Sequence, residues 1–505
     1  MFDNLQLSNI TDLLVYNPDS PLFFSSGLFL FLFFGFLVIY NLLGKHKNAR
    51  LYFLIIFSVY FYYKSAGYLA SILVISAVIN FFFGKFIGMN KKTIVRRLFL
   101  IAAIVANVGL LAYFKYTNFI IDIINGIRDS QIDFLDIMLP IGISFYTFKS
   151  LNYIFDVYME MMEPTDSFRD FCVFVFYFPN ILAGPIDRAS EFLPQIDKEP
   201  FISKEALGTA IFLIISGLIK KVVIADYISI NFIVRVLDTP YFENGLINLI
   251  AVYAYTLQIY CDFSGYTDLA IGISLMMGFK LMDNFNSPFK ATSIADFWRR
   301  WHISLSTWLL DYLFKPIQMQ LRNLRRWSNV IGLFITFLIC GLWHGAGWNF
   351  ILWGGLHGLF MSVSLFFKKP REFVYNKLKI NNTFGLILFK RIVTFHLVAF
   401  SFLIFRMRDL ASVEEILDRI LTYFTSQLSL TGEVILEFVE KMPLIFILML
   451  IGYVFHFIPD KMENFIKRTI TNSPLLVKAI LLAVVIWIVV QFKSTDLHPF
   501  IYFQF

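Results

Sequence analysis

The sequence predicts an all-α integral membrane protein, a polytopic helical bundle of about ten or eleven transmembrane helices with re-entrant and interfacial helices among them. Three observations lead there. Of the 505 residues, 58% are hydrophobic and only 16% charged, where a soluble domain carries roughly 25% charged residues. The apolar runs are spread along the whole chain, residues 1–505, and no stretch reads as a separate soluble domain. Basic and acidic loops alternate between those runs, as they do when Lys and Arg stay on the cytoplasmic side. The net charge of +7 fits basic loops on one membrane face, and no motif supports a nucleic-acid partner. Cys172, Cys261 and Cys340 give neither a disulfide framework nor a metal-ligand spacing.

Taken in order, the chain opens with Asp3, Asp12 and Asp19 and has no Lys or Arg in its first 20 residues, unlike a secretory leader. This acidic start is placed outside. Residues 21–43 cross to a basic cluster at Lys45, Lys47 and Arg50. Residues 51–63 and 67–87 form a hairpin around Lys64, returning to Lys91, Lys92, Arg96 and Arg97. Residues 98–114 then cross outward to a loop holding Asp122, Asp129, Asp133 and Asp136.

The next two apolar segments are broken. Pro140, Gly142, Lys149 and Asn152 interrupt residues 138–158, and Pro179, Gly184 and Pro185 interrupt residues 171–186. Irregular backbone is tolerated at membrane depth only inside protein, so these suit kinked or re-entrant helices. Residues 206–219 end at Lys220 and Lys221, and residues 246–260 run into a polar stretch at 261–268. The basic excess of residues 280–327 places that segment on the cytoplasmic side. Residues 330–342 and 350–367 make an out-and-back pair. Residues 384–405 lead outward to an acidic loop at 409–440, residues 443–458 return, and residues 475–490 leave the C-terminus outside. No repeat of 20–50 residues is visible, which weighs against an inverted-repeat transporter.

Within this apolar frame one patch stands out. Four of the eight Trp lie between Trp298 and Trp327, three more between Trp343 and Trp353, and His302, His344 and His357 join them. Polar and ionisable groups near a bilayer are expensive, so the patch asks for a function. His344 follows an apolar run and precedes Gly345, Ala346 and Gly347; glycine permits unusual backbone angles and close ligand approach. An imidazole titrates near neutrality and can take a proton from a hydroxyl. The alternative is a histidine anchoring a helix end amid an aromatic belt.

His302 is expected on a helix over residues 297–314, at the edge of an apolar face made by Phe297, Trp301, Leu305, Trp308, Leu309 and Tyr312, with Arg299 pointing away. Read alone, that helix lies along the membrane surface. Asp262, Ser264, Tyr266, Thr267 and Asp268 either line a polar channel or cap a helix end. His357, among small residues, reads as a packing histidine, and His46, His396, His456 and His498 have no spacing of a ligand or catalyst. No phosphate-binding loop, zinc pattern or nucleophile elbow is present.

Five segments together resemble the membrane-bound O-acyltransferase family, in its bacterial alginate O-acetyltransferase branch. They are Leu139-Pro-Ile-Gly-Ile-Ser-Phe-Tyr-Thr-Phe148, Ala183-Gly-Pro-Ile-Asp-Arg188, the stretch 258–268, the stretch 297–311 and the stretch 341–358, in the family's order within residues 22–410. Residues 411–505 then add C-terminal spans. The resemblance implies a membrane-embedded acyltransferase with a central channel. It carries the family's conserved histidine onto His344 and its second histidine onto His302, as catalytic residues. Trp298, Arg299, Trp301, Asp268, Ser264, Arg326, Trp343 and Asn349 become substrate-binding candidates, and Gly345, Ala346 and Gly347 channel-lining ones.

The same resemblance implies no tightly bound cofactor or metal and a co-substrate thioester such as acetyl-CoA. It implies an exported polysaccharide acceptor or an external acyl-relay partner, and a bacterial plasma (inner) membrane location among membrane lipids. One departure follows Pro316: many members of the branch carry a Gly-Gly-Asn-Arg loop, whereas this chain continues through Ile317 and Gln318 to Arg325 and Arg326. That bears on the acceptor more than on the chemistry. A teichoic acid D-alanylation protein, or a sugar transporter without acyl transfer, is the alternative reading.

Overall fold

The computed structural model describes residues 13–18, 21–128, 131–200, 202–407 and 409–492. Asp3, Asp12, Asp19 and Asp129, His498 and the C-terminal end lie outside them. Among the described residues the regular structure is helical, with no strand. Among the described residues eight helices are long and apolar enough to cross a membrane, or nine when the bent pair Pro443–Phe457 and Asp460–Asn472 counts as one span. That number leaves two of the expected ten or eleven crossings uncounted. Residues 21–43 yield a helix of only 16 residues, Gly27–Leu42 (α1). The two halves of the expected hairpin, Lys47–Ala66 (α2) and Ala70–Met89 (α3), are joined through Gly67 at φ +59 within one run of 43 residues.

The chain divides into two compact units, residues 1–214 with 266–282, and residues 215–265 with 283–505. In the first, Thr93–Arg128 (α4) is one helix of 36 residues, about 54 Å at the usual rise per residue. Asp122 therefore sits on a helix rather than in the expected loop. The broken segments behave as their prolines predict. Ile143–Tyr158 (α5) starts only after Gly142, whose φ of +78 suits a residue without a side chain. A Cβ on Gly142 would meet the Ile181 carbonyl oxygen at 2.6 Å. Residues 171–189, which hold the later part of the short helix Phe168–Phe176 (α6) and all of Phe178–Ile181 (α7), are buried throughout.

Four buried polar side chains here, Lys149, Asn152, Asn180 and Asp187, are paired internally, as buried ones usually are. Lys149 Nζ donates to the Phe174 carbonyl at 2.6 Å and to Asn180 Oδ1 at 2.8 Å. Asn180 Nδ2 donates to Asp187 Oδ2 at 2.6 Å, and the Met282 N–H donates to Asp187 Oδ1 at 2.9 Å. Asn152 Nδ2 donates to the Asp187 carbonyl at 2.8 Å.

Two stretches that the sequence sets at or after the end of an apolar run prove to be helix interiors. Lys220 and Lys221 lie in a π-helical stretch, Ile219–Asp226, that carries the span on to Leu237. Residues 261–268 lie inside the continuous helix Gly245–Met276 (α8), not at its cap. Asp262 is there for a partner: Lys221 Nζ bridges Asp226 and Asp262 at 2.8 and 2.7 Å. The acidic 409–440 region is also mostly helical, in Leu410–Thr422 and Thr431–Lys441.

The pair Arg326–His344 (α9) and Trp348–Phe366 (α10) meets backbone to backbone. A Cβ on Gly341 would stand 2.2 Å from the Phe350 carbonyl oxygen, and one on Gly354 would stand 2.3 Å from that of Phe337. Small residues at such a crossing are what lets two apolar helices pack closely in lipid.

Candidate active site

His344 ends α9, and its position follows from that glycine crossing. The turn after it is extended, Gly345 at φ −162 and Gly347 at φ −168, so the glycines are not needed for unusual backbone angles. They are needed for room. A Cβ on Gly345 would lie 2.1 Å from the Phe350 ring, and one on Gly347 would lie 2.5 Å from Asn349 Oδ1. Gly345 thus gives its space to a phenyl ring rather than to a passage, which revises its expected channel-lining place; Ala346 and Gly347 are half-buried beside it. The His344 ring is buried, with Trp343 and Trp353 each 5.0 Å away and Phe405 5.4 Å away, all edge-on. Asn349 Nδ2 donates to the Phe405 carbonyl at 3.1 Å and so pins one wall of that box.

His302 does not lie at the edge of a surface helix. The expected helix over 297–314 breaks into Ile294–Trp298 (α11), a turn, and Ile303–Leu309 (α12) continued by the π-helical Leu310–Phe314. His302 makes the turn with a left-handed backbone, φ +44, a conformation costing a non-glycine residue about 1–3 kcal/mol. It is fully buried, 0% exposed.

Asn284 holds it there. The Ile303 N–H donates to the Asn284 carbonyl at 3.0 Å. Asn284 Oδ1 accepts the Ser304 N–H at 3.1 Å, the Ser304 hydroxyl at 2.9 Å and His302 Nδ1–H at 3.2 Å. The Ser304 amide can only donate, so the Asn284 atom is an oxygen and the His302 nitrogen facing it carries the proton. The basic lone pair of His302 is then on Nε2. Burial lowers the His302 pKa from its ordinary 6.5 to about 3, so the ring stays neutral. The ring of Phe263 packs against it at 4.6 Å.

The two histidines converge on one indole. Trp343 lies 5.0 Å from His344 and 6.1 Å from His302, ring centre to ring centre. Trp298 and Trp301 flank the same turn, both buried. Trp301 stacks on Phe297 at 5.5 Å and packs on Phe402 at 5.1 Å. Trp298 Nε1–H donates to His357 Nδ1 at 3.1 Å, and His357 Nε2–H donates to Ser401 Oγ at 3.0 Å, which donates on to the Val398 carbonyl at 2.7 Å. His357 is a packing histidine, but its hydrogen bonds, more than its small neighbours, tie the elements together.

Other expected site residues sit elsewhere. Arg326 opens α9, about 27 Å along the axis from His344 at the usual rise. There it donates to the Phe366 carbonyl at 2.6 Å and lies over the Phe366 ring at 4.6 Å. It is removed from His344 by the length of its own helix. Arg299 is exposed and lines a separate cavity. Ser264 Oγ accepts from Lys220 Nζ at 3.0 Å. Asp268, one turn further along α8, is half-buried and falls in the first unit.

Asn284 was missed by sequence reasoning. The available signal was an asparagine-rich, proline-ended run, Asn284-Phe-Asn-Ser-Pro288, just before the tryptophan motif.

The family model of MBOAT, the membrane-bound O-acyltransferase family, matches residues 162–404, inside the 22–410 core and across both histidines. A probable alginate O-acetylase of Pseudomonas aeruginosa is 38% identical over 420 residues, 80% of this chain and 76% of its own. A peptidoglycan O-acetyltransferase of Helicobacter pylori is 36% identical over 432 residues, 78% of this chain and 79% of its own. A teichoic acid D-alanyltransferase of Bacillus subtilis is 34% identical over 277 residues, 52% of this chain and 68% of its own. With apolar spans throughout, two buried histidines about one indole, and relatives matched along most of its length, this chain belongs to the membrane-bound O-acyltransferase family and is a multi-pass membrane O-acyltransferase.

Proposed function

We propose that the protein moves an acetyl group from a cytoplasmic thioester, such as acetyl-CoA, across the bacterial inner membrane to a hydroxyl of an exported envelope polysaccharide or of a relay partner. The observation that carries this is the convergence of His302 and His344 on Trp343. The acetyl group and the polysaccharide acceptor come from the relatives. Similarity to the alginate and peptidoglycan enzymes covers 80% and 78% of this chain, that to the D-alanyltransferase only 52%. Both chain ends face outward in this reading, and the basic 280–327 segment faces the cytoplasm.

In the reaction, His344 takes the acceptor hydroxyl proton as its oxygen attacks the thioester carbonyl carbon. The tetrahedral adduct collapses, the carbon–sulfur bond breaks, and the leaving thiolate recovers the proton from the imidazolium. One ester and one thiol replace one thioester and one alcohol. His302, neutral and with Nδ1–H committed to Asn284, turns its Nε2 lone pair toward a polar hydrogen of donor or acceptor and positions it. Trp298, Trp301, Trp343 and Asn349 shape the walls.

The test is transfer of labelled acetyl from acetyl-CoA by the purified, reconstituted full-length protein, with acceptor and any relay protein present. Acetyl transfer that depends on His344 is the expected result. Thioester left intact under those conditions, with D-alanyl carrier consumed in its place, would overturn the acetyl reading.

A further inference from the structure

A cavity of 510 Å³ in the second unit has no part in the chemistry above. Its polar lining includes Arg299, Lys368, Arg371 and Lys390 against one carboxylate, Glu372. Among the described residues Arg299, Lys368 and Arg371 make no ion pair. Lys390 Nζ rests 4.5 Å from the centre of the Tyr375 ring. Four cations around one hollow repel one another unless an anion joins them. Phosphate is the common biological anion of that size and charge.

The position of the hollow says where such a phosphate comes from. Lys368 opens the helix Lys368–Lys377 immediately after the apolar α10, and Lys390 lies in the second turn of the apolar helix Phe384–Arg406. The cavity therefore lies where two candidate spans reach their polar ends, the level of lipid headgroups. Its wall turns apolar at Leu333, Met361 and Leu365. Phe366, Phe367, Leu388 and Phe389 are exposed on the flanking helices, as acyl-chain contacts are. Basic pockets between membrane helices bind anionic headgroups for these reasons.

We infer that this cavity binds the phosphate headgroup of an anionic glycerophospholipid, its cations closing on the phosphodiester and its acyl chains lying along the exposed flank. The occupant reaches the catalytic segment through Arg299, which follows Trp298 and precedes the His302 turn. The lipid thereby steadies that segment without touching reactants.

The experiment uses the full-length protein in nanodiscs of phosphatidylglycerol mixed with phosphatidylcholine, counting retained lipid by native mass spectrometry after gentle release. Wild type retains phosphatidylglycerol over phosphatidylcholine. Lys368→Glu with Arg371→Glu loses that preference by about tenfold or more, at about 1 kcal/mol for each basic residue near the surface. Thermal melting in pure phosphatidylcholine checks that the double variant folds; should it not, Lys368→Gln and Arg371→Gln singly carry the same expectation at smaller size. Equal phosphatidylglycerol retention by wild type and folded variants overturns the inference. So does displacement of the lipid by millimolar inorganic phosphate or adenosine 3′,5′-bisphosphate, which would assign the cavity to a soluble phosphate ester.

Discussion

Two of the places where the molecule buries polar groups differ in what surrounds them. Around Lys149, Asn152, Asn180 and Asp187 in the first unit, side chains and carbonyls bond to one another in a closed set. Around His302 and His344 in the second, the walls are indole and phenyl rings, and one asparagine fixes one tautomer. Burial is common to both. A closed network fixes backbone shape; around His302, Asn284 fixes which ring nitrogen carries the proton. Polar residues in an apolar chain therefore mark expense, and only their surroundings tell scaffold from chemistry.

The sharpest way to break that contrast is at His344. His344→Gln keeps a hydrogen-bonding side chain but has no basic nitrogen. It is expected to be expressed and inserted normally, to bind donor, and to lose transfer by about 10²–10⁴-fold. Near-normal turnover in a well-inserted sample would return His344 to the role of a helix anchor.

The converse holds in the first unit. Lys149→Met leaves Asp187 buried with a lost cation and should cost about 3–5 kcal/mol of stability, read as a lowered melting temperature and reduced yield. Its residual folded fraction should transfer acetyl at close to the wild-type rate per molecule. A stable variant with abolished turnover would show that the network does chemistry.

Asn284→Ala tests the link between shape and tautomer. It strands the Ser304 N–H and hydroxyl donors and frees His302 Nδ1, so we expect turnover to fall about tenfold, equivalent to roughly 1.4 kcal/mol of barrier. Donor affinity should change less than turnover, and Asn284→Asp, which keeps the acceptor oxygen, should recover part of the rate. A fall in affinity alone would make Asn284 a binding residue.

The smallest effect is on pH dependence. An unfolded chain protonates His302 near 6.5, whereas the folded one does so only near about 3. Between those values the unfolded state holds the extra proton, so stability drops as pH is lowered through that window and is unaffected by this group above it. His302→Gln should flatten that slope. An unchanged slope would mean that other groups carry the acid sensitivity.

Much of this was legible in the residues. Composition and apolar run length gave the helical membrane class, and Pro140, Pro179 and Pro185 foretold broken segments buried in protein. His302 and His344 were singled out by the aromatic stretches around them and by the family resemblance. What was not legible came from distance along the chain. The helical period of Phe297, Trp301, Leu305 and Trp308 continues smoothly through the break at His302, because a periodicity cannot register an asparagine 18 residues upstream that captures the turn. Lys220 and Lys221 looked like a helix end for a similar reason. Only tertiary pairing of Lys221 with Asp226 and Asp262 makes charges tolerable in mid-span. Arg326 was assigned from a motif's proximity in sequence, which a 19-residue helix then stretched out of reach.

Trp343 carries an optical consequence. An indole between two imidazoles emits more weakly when either ring gains a proton, because a cationic imidazolium quenches excited indole. With His302 neutral down to about 3, its own protonation leaves Trp343 emission unchanged above that range. Only eight tryptophans are present, so the difference spectrum between wild type and Trp343→Phe isolates that emission. The enzyme thus carries its own indicator dye, seated against both histidine rings.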